Sequence, residues 1–149
     1  MFRAQHVYPT APGEQEYRYS FTPYNVPSFV GTLLAGARKE NIPLPLDADA
    51  PFILRAMQAH ESPYGLAMRF RDPWRNYLSD DANPTLEDLN YAPNDALWTI
   101  FGAELVAVDA EIWCPKGAVL WVDLYNASLS TVSLAALEIV FAGVKRYAV

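Results

Sequence analysis

Proline is the residue that most restricts what this chain can fold into. Of twelve prolines in 149 residues, six (Pro9, Pro12, Pro23, Pro27, Pro43 and Pro45) fall before residue 46. Each lacks a backbone donor and fixes φ, and each pushes its predecessor out of the helical region. The first third is thus poor in continuous regular structure. The same stretch carries Phe2, Tyr8, Tyr17, Tyr19, Phe21, Tyr24 and Phe29, and burying a large apolar side chain stabilises by about 1.5–3 kcal/mol. That many aromatics do not stay in water. The two facts predict an extended Pro/aromatic arm over residues 1–45, laid on a surface of its own or of a neighbour, followed by a sandwich domain over 46–149. The arm aromatics, with Trp74 and Trp98, are the candidate subunit-interface residues. Within the arm, Tyr17, Tyr19 and Phe21 alternate with Arg18 and Ser20, the period of a strand with one apolar face.

Strand patterns continue downstream. Residues 28–39 read as strand and turn. The runs 51–57 and 66–71 are separated by His60-Glu61-Ser62-Pro63-Tyr64-Gly65, which predicts a hairpin turn. Residues 72–96 form a long Asp-, Asn- and Pro-rich connection, in which Thr85-Leu86-Glu87-Asp88 resembles a capping box. Strands follow over 105–113, 118–125 and 134–141, with a turn at 114–117 and a polar loop at 126–131. Seven to nine short strands, no long helix and no internal repeat predict an all-β fold, an antiparallel β-sandwich of jelly-roll type.

Composition narrows the function classes. A chain of 149 residues suits one domain with a real core. Hydrophobic residues reach 52% and charged ones only 19%, against roughly 25% charged in ordinary soluble domains. The balance of 11 basic and 17 acidic residues, 11 − 17 = −6, argues against coating nucleic acid. The start of the chain lacks an export pattern and no window approaches a membrane-spanning apolar run, so the expectation is a soluble protein made in a cytoplasm, with no membrane partner. Cys114 is the sole cysteine, with no basic neighbour in sequence to activate it; it reads as an inert filler.

Catalytic chemistry is sparse. His6 and His60 are the only histidines, and neither stands in a metal-ligand pattern. Asp47/Asp49, Asp80/Asp81 and Asp109/Glu111 are carboxylate pairs of the kind that serve glycosidases or bind calcium. The Asp47/Asp49 and Asp109/Glu111 spacing puts both acids on one strand face, but 17 acids produce such pairs by chance. Trp74, Trp98, Trp113 and Trp121 could stack on sugar rings, although aromatic packing is the commoner use. Lys145-Arg146, too short a basic run for nucleic acid, reads as a solvated end or a rim contact. No catalytic residue, metal ligand or cofactor is assigned.

Four stretches in order carry a family likeness: Asp47-Ala48-Asp49-Ala50-Pro51-Phe52-Ile53-Leu54-Arg55; Met68-Arg69-Phe70-Arg71-Asp72; Pro115-Lys116-Gly117 leading to Val122-Asp123-Leu124-Tyr125-Asn126; and Gly143-Val144-Lys145-Arg146-Tyr147. Together they resemble small tailed-bacteriophage virion structural proteins of the capsid decoration or cement kind. The likeness covers residues 47–147 and leaves the arm unmatched. It implies a non-enzymatic jelly-roll protein on the outer capsid surface that self-associates as a dimer or trimer and binds the major capsid protein. A carbohydrate- or receptor-binding module, or a connector or tail component, is the alternative.

Overall fold

The computed structural model of the chain describes residues 12–76, 78 and 104–147. Nine strands occur among them: β1 (Glu14–Phe21), β2 (Thr32–Leu33), β3 (Arg38–Pro45), β4 (Phe52–His60), β5 (Leu66–Arg71), β6 (Val106–Cys114), β7 (Val119–Asn126), β8 (Val132–Ser133) and β9 (Glu138–Arg146). Their only helical turn is a 3-10 turn at Pro27–Phe29, where a proline opens the turn. The chain is all-β and antiparallel. One sheet has the order β1-β9-β4-β6, a second β3-β7-β5, and β2 pairs with β8 alone.

The pairings nest. β1 lies on β9, β2 on β8, β3 on β7 and β4 on β6, so the chain is a long doubled ribbon whose two halves match from the outside in. Each described strand of the two larger sheets is followed by one in the opposite sheet. The 60–65 segment is therefore a crossing, which corrects the expected hairpin: β4 pairs with β9 and β6, and β5 with β7. Gly65 (φ 84) and Glu61 (φ 52) turn the chain there in the left-handed region. The turn residues were legible, but the strands they join are not partners.

The core forms between the two larger sheets. Alternation places Phe52, Leu54, Met57, Ile139 and Phe141 from one sheet against Leu66, Met68, Phe70, Leu120, Val122 and Leu124 from the other. Phe70 meets Phe141 edge-on at 5.6 Å across the layer.

The expected arm is different from residue 14 onward. β1 pairs with β9 over eight residues, and β3 pairs with β7. Tyr19, Phe21 and Phe29 are buried in the chain's own core. These three are corrected as interface candidates, because their apolar area is already covered by β4, β9 and their own loop. Strands from both sides of residue 45/46 share both larger sheets. Proline is accommodated at edges: Pro43 and Pro45 sit on β3, an outer strand of its sheet. The capping box at Thr85–Asp88 lies outside the described residues.

Two irregularities are held by specific contacts. β3 bulges between Lys39 and Ile42, with Asn41 at φ 59. Asp123, fully buried on β7, accepts there from the Asn41 N–H at 2.7 Å, from Arg69 Nε at 2.7 Å and from an Arg71 terminal nitrogen at 2.7 Å. Arg69 also pairs with Glu40 at 2.8 Å. β4 bulges between Leu54 and Ala56, opposite Gly143 and Ala142 of β9. A bulge of this kind brings backbone close to backbone, and glycine stands where it does so.

Candidate functional site

Three places concentrate side chains whose burial or exposure is unusual for their type. The first is one end of the sandwich, built around Asn126. Its side chain is fully buried. Its amide donates to the Leu33 carbonyl at 2.9 Å and the Ser130 carbonyl at 2.8 Å, and its Oδ1 accepts from the Ser128 N–H and hydroxyl. Its backbone carbonyl accepts from Gly36 N–H, and Ala127 N–H donates to the Gly65 carbonyl. Loops 34–37 and 127–131 are thereby locked to Asn126, and loop 61–65 is tied to its neighbour Ala127. A Cβ on Gly65 would stand 2.8 Å from Ser128 Cβ, a measure of how closely two of them meet.

From these fixed loops large apolar side chains point into water: Leu34 is 65% exposed, Tyr64 92% and Leu129 100%. None was singled out from the sequence as an interface residue. The available signal was a lone large apolar residue inside a turn, as Leu129 is within Asn126-Ala127-Ser128-Leu129-Ser130-Thr131. Turn residues bury no pattern of their own, so periodicity passes over it.

The second place joins β1, the β3–β4 link and the end of β9. Lys145 is only 3% exposed, which corrects its reading as a solvated end. Its ammonium lies 2.8 Å from Asp47 Oδ2 and 3.0 Å from Asp49 Oδ1. It also sits over the Tyr17 ring at 3.8 Å and nearer the edge of reach of Tyr19 at 5.6 Å. Tyr147 donates to Asp49 at 3.0 Å, and the Asp47 N–H donates to the Tyr19 hydroxyl at 3.0 Å.

Desolvation alone would lower the Lys145 pKa, but the bonds to Asp47 and Asp49 outweigh it and hold the ammonium well above the ordinary lysine value. The same Lys145 bond holds Asp49 below the usual aspartate value. Burial raises the Tyr19 phenol. The Asp47/Asp49 pair lies on a loop, not on a strand face, and both carboxylates are engaged by an internal cation. This arrangement is a clamp.

Its pH dependence follows from the two directions. Asp49, depressed when folded, contributes stability present above the unfolded aspartate pKa and lost as pH falls through its folded value. Lys145, raised, contributes stability present below the unfolded lysine pKa and lost as pH rises through its folded value. Melting temperature measured against pH should therefore fall below about pH 4 and above about pH 10. Lys145→Met should remove that clamp-dependent part, visible as a parent-minus-variant difference in melting temperature that shrinks at both acidic and alkaline ends.

The third place is the loop after β5, where Trp74 is 63% exposed beside Arg75. Among the remaining candidates, Tyr24 is fully exposed on the turn after β1 and Tyr17 is exposed beside the Lys145 clamp. Phe2, Tyr8, Trp98, His6, Asp80 and Asp81 lie outside the described residues. Trp113 is partly exposed, with Arg146 over its ring at 5.4 Å. Glu111 pairs with Arg55, and His60 closes β4 opposite Glu138. Cys114 is buried, and burial pushes its thiol up to about 12. Among the described residues no cluster of three or more His, Cys, Asp or Glu could hold a metal ion, and no helix is long and apolar enough to cross a membrane. No known protein family, curated protein or solved structure matches this chain.

Proposed function

We propose that this chain is a non-enzymatic structural protein that works by association: a jelly-roll sandwich that joins copies of itself and, in the role its sequence likeness implies, binds adjacent capsid subunits to stabilise a virion shell. The observation that carries the reading is the Asn126-locked loop end. Exposed Leu34, Tyr64 and Leu129 on rigid loops form a surface whose burial is favourable by about 1.5–3 kcal/mol per large side chain. Because the loops are already ordered, little entropy is lost when a partner covers them. The nested pairing β1·β9, β2·β8, β3·β7 and β4·β6 supports the jelly-roll description, since that fold is a doubled ribbon rolled into two sheets. The engagement of Asp47 and Asp49 by Lys145 supports a structural role for the acid pair.

The test is sedimentation velocity across a wide concentration range, with the parent chain and a Tyr64→Ser/Leu129→Ser variant. The parent should sediment as a dimer or trimer and the variant as a monomer with an unchanged melting temperature. Co-sedimentation with undecorated phage shells, retained by the parent and lost by the variant, then addresses the capsid role. A parent that stays monomeric at every concentration and ignores shells ends the proposal.

A further inference from the structure

We propose that the 72–76 loop is a binding site for a carboxylate-bearing sugar, which lays a pyranose face on the Trp74 indole and pairs its carboxylate with the Arg75 guanidinium. The loop follows β5, and Tyr64 precedes that strand. Six residues of strand separate them, a rise of about 20 Å. The site is thus at the other end of the sandwich from the association surface and stands or falls without it.

The loop is built to hold one shape. Asp72 Oδ1 accepts from the Trp74 N–H and the Asn76 N–H, both at 2.9 Å, and Oδ2 accepts from the Asn76 amide at 3.3 Å. The Asp72 carbonyl accepts from Arg75 N–H at 2.9 Å, and its N–H donates to the Asn76 carbonyl at 2.8 Å. Pro73 fixes one more torsion. An indole 63% exposed on such a loop is pre-placed for stacking.

Arg75 adds the charge. It adopts φ 70, a left-handed conformation that glycine or asparagine fills at lower strain. Asn76 stands one position on, yet arginine occupies the strained site. The consequence is the placement of its side chain: the guanidinium lies over the Trp121 ring at 4.1 Å. Stacking engages one face of the guanidinium, and with Arg75 exposed its N–H donors remain open to a carboxylate, which they can pair bidentately. Arg75 is exposed and holds no ion pair among the described residues. Trp74 and Arg75 are consecutive and both exposed on this loop, so an acidic pyranose is the ligand class that uses both, its C–H face on Trp74 and its carboxylate on Arg75. A nucleic acid also offers rings and anions, but its many phosphates meet a chain of net charge −6.

The experiment is titration of the full chain, followed by tryptophan fluorescence and calorimetry, with sialyllactose and digalacturonate as carboxylated probes, lactose as the neutral one and AMP as the nucleotide. A carboxylated probe should bind saturably, and lactose roughly tenfold more weakly or not at all. Trp74→Ala should weaken that binding by roughly tenfold. Arg75→Gly relieves the left-handed strain, so it should keep or raise the melting temperature while erasing the preference for carboxylated over neutral sugar. Binding of neither carboxylated probe, equal binding of lactose, binding of AMP alone, or affinity unmoved by Trp74→Ala would each overturn the proposal.

Discussion

Gly143→Ala should destabilise the protein by about 3 kcal/mol, a fall of roughly 10 °C in melting temperature, with β4 and β9 the strands that separate first. The position is an ordinary-looking glycine inside a strand. A Cβ there would stand 1.9 Å from the Ile53 carbonyl oxygen, 2.9 Å from its carbon and 3.1 Å from Phe52 Cζ. The first two atoms are backbone and cannot swing aside as a side-chain end could. The clash arises because β4 carries an extra residue at Arg55, which carries Ile53 toward β9. Relief requires sliding the bulge, and the β4 register holds Phe52, Leu54 and Met57 in the core. Thermal unfolding followed by circular dichroism, with hydrogen exchange at β4 and β9 amides, measures both parts. An unchanged melting temperature would show that the bulge yields freely.

Asp123→Ala should be at least as damaging, by about 3–5 kcal/mol, because it removes the carboxylate shared by two arginines and by the N–H of a bulged residue. Asp123 is wholly buried and Arg69 nearly so. Taking one partner from such a set leaves charge in a poorly solvated place, whereas replacing the whole set with apolar residues need not. A triple variant, Arg69→Met/Arg71→Met/Asp123→Leu, should therefore recover much of what Asp123→Ala loses. Denaturant unfolding of both variants decides it. Equal stability of the single and triple variants would mean that Asp123 matters for the Asn41 bulge and not for the arginines.

What was legible in the sequence followed from local pattern. β5 was expected over Leu66–Arg71 and occupies those residues, because Leu66, Met68 and Phe70 alternate cleanly with Ala67 and Arg69. The Tyr17, Tyr19 and Phe21 alternation likewise marked β1, but not what β1 joins: its partner lies 118 residues away in the pair Phe21 and Ile139. Nonlocal pairing also explains the 60–65 crossing and the role of Lys145. Asp47 and Asp49 were visible as a pair, while the cation that engages them comes from the far end of the chain. Strand β9 begins at Glu138, not at Leu134, because Leu134 and Leu137 close a turn before the ladder starts. Tyr64 and Leu129 are missed for a different reason. A residue that packs on nothing within the chain leaves no periodic trace.

The nested ladder also sets an order of events during synthesis. β1 leaves the ribosome first, yet its hydrogen-bonding edge is met only by β9. At about 5–20 residues per second the wait is on the order of ten seconds. Through that interval Tyr19 and Phe21 have no sheet to enter, and β3 and β4 must wait for β7, β6 and β9 in turn. Folding of this protein is thus a closing step that runs from the middle of the chain outward to its two ends. A ribosome stalled shortly before residue 139 should hold a chain in which β4 can pair with β6 and β3 with β7, while β1 still lacks its partner β9.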